Sequence, residues 1–310
     1  MKILYFFESI RTPFLDGLMS LLTKLGEETI FIALAIILFW CIDKKQGYFL
    51  IAIGFLGTFI NQFLKVLFRV PRPWVKDPDF TIVESAREGA TGYSFPSGHT
   101  QSAVGSFGGV ARYNKNKWIK IVGISIAVIV PITRMYLGVH TFNDVFVSTI
   151  IALLLIFGIY PIINRSSQNP IFMYLLFGFI AVFGVFAYLF IKFYNFPSDV
   201  DANNIQHGLE SITKLLGASI GVLVAYFIER RYVNFETKGN LVVQVIKTVL
   251  GLVILVLLKS LLKTPINALI GAEIGNAVRY FIIIIFAVIV WPLVFKPLNN
   301  LYKKLFANKK

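Results

Sequence analysis

Apolar positions along this chain gather into long unbroken runs, separated by short polar turns. A bilayer core about 30 Å thick needs roughly 20 apolar residues in a helix, and runs of that order recur from one end of the chain to the other. Nine candidate spans can be drawn: Thr29–Ile42, Gly47–Leu67, Pro96–Ala111, Trp118–Ile132, Asp144–Ile163, Pro170–Ile191, Ile212–Ile228, Leu241–Leu258 and Arg279–Val294. The third is rich in Gly and Ser. Ahead of them, the apolar stretch Ile3 to Phe7 meets Glu8, Arg11 and Pro13 too soon for a cleavable signal peptide. Beyond Pro13 the period changes. Phe14, Leu18, Leu21, Leu22 and Leu25 fall on one helical face, which predicts an amphipathic helix lying in the membrane interface. The expected fold is an all-α integral membrane protein, a helical bundle of about nine transmembrane spans with an N-terminal interfacial amphipathic helix. The longest polar stretches are Pro71 to Ser94 and Tyr194 to Ser211, so no soluble domain fits.

Composition agrees with this pattern. Of 310 residues 56% are hydrophobic and only 15% charged, against about 25% charged in a soluble domain. The net charge of +14 would suggest nucleic acid in a soluble protein. Here the bases sit at the edges of apolar runs, so membrane lipids are the expected partner and nucleic acid is not. Cys41 is the single cysteine and cannot form an internal disulfide. Orientation follows from the basic loops. The cluster Arg112 to Lys120, the pair Arg230–Arg231 and the lysines of the tail predict an inner C-terminus, with Lys44–Lys45 on the same side. The segments 68–95 and 134–143 then share the outer side.

Three polar clusters break the apolar pattern. The first is Lys65 with Arg72-Pro73, at the outer end of the second span. Snorkelling would explain such bases, yet they lie where the positive-inside rule disfavours them, and Lys and Arg together suit phosphate oxygens. The second is Pro96-Ser97-Gly98-His99, a helix start with a capping Ser, whose free N–H groups favour an anion. In the third, Arg134 precedes His140 and Asp144, which are four residues apart and share a helical face. A carboxylate behind an imidazole fixes its tautomer, as in a hydrolase triad. Arg69 and Arg87 lie near these clusters, and His207, near Asp199 and Asp201, reads as part of a solvated loop rather than a metal site. The polar clusters end near residue 165. Residues 1–165 are therefore expected to hold the chemistry, and 166–310 to add C-terminal transmembrane helices as packing or an access wall.

In order and spacing the three clusters resemble the motifs of the type 2 phosphatidic acid phosphatase superfamily, which includes glucose-6-phosphatase and vanadium haloperoxidases. Lys65 with Arg72-Pro73 fits the first motif, Pro96-Ser97-Gly98-His99 the second, and Arg134, His140 and Asp144 the third, with Thr133 where the family has Ser. The resemblance covers about residues 65 to 144. It implies that His140 is the nucleophile, Asp144 orients it, and His99 is the general acid. Lys65, Arg72 and Arg134 would bind the phosphoryl oxygens, with Ser97 and Gly98 completing the cradle. No cofactor or metal is called for, since three cations and a helix start already offset the charge of phosphoryl transfer. The expected substrate is a phospholipid or polyprenyl phosphate; a soluble phosphate ester and phosphotransfer to an alcohol share the same site chemistry.

Overall fold

The computed structural model describes residues 1–197 and 200–306, and the regular elements in that range are all helices. Two short helices open the chain, α1 (Lys2–Ser9) and α2 (Pro13–Thr23). Pro13 at the first helical position and the Thr12 side chain accepting from Leu15 N–H start α2. Phe14 and Leu21 stay exposed on its outer face, as an interfacial helix requires. The apolar run at Ile3 to Phe7 lies in α1, where Leu4 packs into a small cluster with Phe80 and Ile82.

The bundle follows. α3 (Glu28–Cys41) and α4 (Lys44–Phe68) form an antiparallel pair, and the short α5 (Pro73–Lys76) lies beyond α4 in the first long polar loop. The third expected span is broken into α6 (Gly98–Ala103), a π turn (Val104–Gly108) and α7 (Gly109–Tyr113). Glycines 105, 108 and 109 there lie against Ile53, Ile156 and Leu50, so the backbone approaches α4 and the next helices closely. Then come α8 (Lys117–Tyr136), α9 (Phe142–Arg165), α10 (Ile171–Phe193), α11 (Ala202–Ile228), α12 (Leu241–Leu261), α13 (Lys263–Ile270), α14 (Ala272–Ile285) and α15 (Phe295–Phe306). Seven helical segments among the described residues are long and apolar enough to cross a membrane, and α3 is a shorter apolar helix. The expected nine are thus these seven, α3 and the broken α6–α7.

The core is one cluster running through α3, α4, α9, α10, α11 and the turn after α14, with Trp40, Phe49 and Phe59 fully buried. One expectation needs correction. Helix α11 begins at Ala202, ten residues before the apolar run, so His207 lies on a helix rather than in a loop, and Asp201 caps that helix through Asn203 N–H at 2.8 Å; Asp199 lies outside the described residues. The later helices also carry buried polar groups. Lys247 donates to Trp40 O and Thr237 O, Arg279 bonds Asn276, and Glu229 receives Lys44.

Candidate active site

All three polar clusters converge at one end of the bundle. α4 ends by turning through Arg69 in a left-handed conformation (φ 50°), which sends the chain back across the top of the helix toward Arg72. Lys65, in the last turn of α4, reaches the carbonyl oxygen of Tyr93. Ser94 N–H donates to Val70 O at 2.8 Å, joining the first cluster to the second. Ser97 caps α6 through Thr100 N–H, and its own N–H donates to Asp144 O at 3.2 Å, joining the second to the third. The Phe95–Pro96 peptide bond is cis.

The third cluster straddles the turn between α8 and α9. Gly138 has a φ of +80°, open to glycine at little cost. It also has no room for a side chain: a Cβ would fall 2.8 Å from Arg11 Nη2 and 2.9 Å from the Phe80 ring. Thr141 and Asp144 then form a reciprocal capping box that starts α9. This box fixes the Asp144 carboxylate. Its Oδ2 accepts from Thr141 N–H and from Ser94 Oγ, both at 2.7 Å, and stands 3.5 Å from His140 Nδ1.

His140 is 2% exposed. Its Nε2 lies 3.0 Å from Arg72 Nη1. A guanidinium can only donate, so Nε2 is the accepting nitrogen and the proton sits on Nδ1, facing Asp144; the tautomer is assigned from this network. Burial first, then the charges of Arg72, Arg134 and Lys65, hold the imidazole well below the usual histidine range. The ring is therefore neutral at physiological pH, with a lone pair on the nitrogen that faces the cations.

Those cations are held by carbonyl oxygens and hydroxyls rather than by carboxylates. Arg72 donates to Thr91 O at 2.6 Å, Gly92 O at 3.0 Å and Val139 O at 2.9 Å. Arg134 donates to Thr23 Oγ1 at 2.9 Å, while its buried Nε and Nη2 have no partner among the described residues. Leaving buried donors unpaired costs about 1–3 kcal/mol, more when charged, so such an arrangement fits an anion with several acceptor oxygens. Thr133 keeps its hydroxyl on Val130 O at 2.6 Å, inside the helix. His99 is half-buried beside the same cations, and Gly26 is pressed against it: a Cβ at 26 would fall 2.8 Å from His99 O. A cavity of about 270 Å³ lies between the start of α1 and residues Thr141 to Asn143.

Every residue expected in the site is thus brought to this end: Lys65, Arg72, Ser97, Gly98, His99, Arg134, His140 and Asp144. Arg87 is not drawn in; it pairs with Glu84 at 2.7 Å on the surface. Arg69 turns away toward Val66 O and the Phe196 ring. Three supporting residues escaped the sequence reading: Ser94 on Asp144, Thr23 on Arg134, and Arg11, which donates to Tyr136 O and Thr81 O and so ties α1–α2 to the third cluster. Lone hydroxyls carry no spacing signal. Arg11 was visible only as a charge that interrupts an apolar run.

Comparisons with known proteins cover the same part of the chain. Residues 46–168 match the family model described as the PAP2 superfamily, and residues 213–304 match one described as a PAP2 superfamily phosphatase, transmembrane extension. Phosphatidylglycerophosphatase B of Bacillus subtilis is 29% identical over 165 residues, covering 48% of this chain and 75% of that protein. Undecaprenyl-diphosphatase of Sulfolobus acidocaldarius is 32% identical over 134 residues, covering 42% of this chain and 62% of that protein. Sphingosine-1-phosphate phosphatase 2 of Mus musculus is 28% identical over 158 residues, covering 48% and 44%. The matched part is thus less than two thirds of the latter two relatives. No solved structure matches the chain at a significant level.

Proposed function

This chain belongs to the PAP2 superfamily as an integral membrane phosphatase, and we propose that it hydrolyses a lipid phosphate or polyprenyl diphosphate through a phosphohistidine on His140, at the extracytoplasmic face and without a metal. The observation that carries the reading is the pairing at His140: a buried imidazole with Nε2 against Arg72 and Nδ1 toward Asp144, among three buried cations. The names of the three relatives, each a phosphatase of a lipid phosphate or diphosphate, support the substrate class.

The steps follow from that geometry. A phosphoryl group entering the site offers oxygens to Arg72, Lys65 and the unpaired nitrogens of Arg134, and these replace the carbonyl contacts of the cations. Arg72 then leaves Nε2, whose lone pair attacks phosphorus. The N–P bond forms as the P–O bond to the leaving group breaks, and His99 gives that oxygen its proton. Asp144 stabilises the imidazole as it becomes cationic. Water next attacks phosphorus, the N–P bond breaks, His99 takes the water's proton, and inorganic phosphate departs. Splitting one hard displacement into two lowers each barrier, and three cations in a dry site stabilise the developing charge. Ser97 and Gly98 line the approach at the start of α6, where the first N–H groups of a helix have no intrahelical partner.

The test is phosphate release by the detergent-purified protein from phosphatidylglycerophosphate, undecaprenyl diphosphate, sphingosine 1-phosphate and glucose 6-phosphate, with and without EDTA. An alkaline quench would trap radiolabelled phosphate on the protein. Release that persists in EDTA, together with label that disappears in H140A, is the expected result. Release surviving H140A would overturn the nucleophile. Loss in EDTA would overturn the metal-free reading, and preference for glucose 6-phosphate would overturn the lipid one.

A further inference from the structure

A cavity of about 370 Å³ opens at the opposite end of the bundle, between the starts of α4 and α10 and the ends of α9 and α11. Lys44 and Lys65 stand 21 positions apart on α4, roughly 30 Å at 1.5 Å per residue. This cavity therefore shares no ligand with the candidate active site.

Its walls are built around charge. Glu229 is 3% exposed; it accepts from Lys44 Nζ at 2.7 Å and from Tyr48 OH at 3.4 Å. Lys44 also donates to Asn234 Oδ1 at 3.2 Å. One acid and one base thus balance each other. The other two bases on the wall have no carboxylate partner among the described residues: Lys45 is held only by Ser167 Oγ, and Arg230 only by Tyr226 OH at a long 3.5 Å. The cavity therefore carries an excess of two positive charges, beside the Ser166 and Tyr226 side chains.

The backbone is shaped to produce this wall. α11 does not simply end; it widens into a π turn (Glu229–Val233) and closes on Asn234 in a left-handed conformation, φ 33°. Both features are uncommon for ordinary residues and recur at functional sites. Here they bring Glu229, Arg230 and Asn234 to one rim. Beside that rim, Ile171 and Leu175 of α10 and Phe227 of α11 are exposed on the outer faces of membrane-length helices. An anion bound here would sit at the edge of an apolar, lipid-facing surface.

We propose that this cavity is a binding site for the phosphate headgroup of an anionic phospholipid, engaged by Lys45 and Arg230, with acyl chains running along the exposed faces of α10 and α11. Lys offers a point charge and Arg a fork of donors, the pair suited to a phosphodiester. Basic pockets between transmembrane helices are a recurring form of lipid headgroup recognition.

The experiment measures lipid retained by the purified full-length protein after delipidation and exposure to mixed micelles of phosphatidylglycerol or phosphatidylcholine, read by native mass spectrometry. K45Q/R230Q is compared with K117Q/K120Q, which removes the same charge from exposed positions outside the cavity. Retention of phosphatidylglycerol over phosphatidylcholine is expected in the wild type and in K117Q/K120Q. In K45Q/R230Q it should fall about tenfold. E229Q supplies a reading of opposite sign: it removes the one carboxylate, frees Lys44, and should raise retention. Equal retention of the two lipids, equal loss in the two double variants, or no gain in E229Q would each overturn the site. Millimolar inorganic phosphate that displaces no lipid is expected; phosphate that binds alone and displaces phosphatidylglycerol would overturn the lipid as its occupant.

Discussion

A guanidinium on the lone pair of a nucleophile blocks it, so Arg72 against His140 Nε2 describes a resting site that substrate must reopen. Two predictions belong to this scale. Arg134, Arg72 and Lys65 help hold the His140 imidazole down, after burial. Its protonation, which silences the nucleophile, therefore sets in below the ordinary histidine range near 6.5. Removing one of those cations raises the imidazole's affinity for a proton. R134Q should thus move the acid limb of the kcat/KM profile to higher pH, besides lowering kcat/KM by about a hundredfold or more; a pH–rate profile on both proteins reads this, and an unmoved limb would refute it. Ser94 touches Asp144 and not the reacting atoms, so it is a positioning residue. S94A should lower kcat by about tenfold to a hundredfold, the worth of one hydrogen bond to a charged group, with KM nearly unchanged. S94T, which keeps the hydroxyl, should recover most of the loss. At this scale the sequence was most readable, because in a chain this apolar an ionisable residue inside or beside a span has few bland explanations. Ser94 and Thr23 were not readable, since each depends on a hydroxyl being folded against a residue far away in sequence.

Helices α11 and α14 touch where Gly217 meets the backbone of Ala277: a Cβ at 217 would fall 1.9 Å from Ala277 O. Without a hydrophobic drive between helices in lipid, such close backbone approach supplies the packing. Gly158 on α9 is a natural control, with nothing within 4 Å of its would-be Cβ. G217A should destabilise the detergent-purified protein by about 1–3 kcal/mol of overpacking strain, seen as a lower melting temperature, while G158A should leave it unchanged or slightly higher. Equal melting of the two variants would mean the helices separate freely. Element boundaries followed the apolar runs closely for α3, α4, α9 and α10, because bilayer length and helix length coincide there. They failed where the two part company. α11 begins ahead of the apolar run and includes Asn203, Asn204 and Glu210, and α13 is too short to register as a span. The π turn within the third span was equally hidden, since Gly and Ser weaken hydropathy without marking a change of helix type.

The whole molecule sorts its charge by end. Contacts of Lys44 with Glu229, of Lys45 with Ser167 and of Tyr113 with Asp43 gather the α3–α4, α7–α8, α9–α10 and post-α11 turns at one end, and these turns carry Arg112, Lys115, Lys117, Lys120, Arg230 and Arg231. The candidate active site occupies the other end, strapped by α1 and α2 through Arg11 and Thr23. The proposed orientation, with the basic end in the cytoplasm and the site at the outer face, is the one the positive-inside rule predicts from this charge. Cys41 is the single native thiol, so C41S provides a clean background for a labelling test. In it, Glu88→Cys, exposed in the loop over the site, should react with a membrane-impermeant maleimide on intact cells. Lys115→Cys, exposed in the turn before α8, should react only after permeabilisation. The reverse pattern would turn the protein over, because both probes sit on turns tied to a known end of the same bundle. The site would then draw its substrate from the inner leaflet, and Lys65, Arg72 and Arg134 would need no anion to explain their side of the membrane. The expected pattern leaves them as bases against the topological rule, and an anionic substrate arriving in the outer leaflet is then the force that keeps them there.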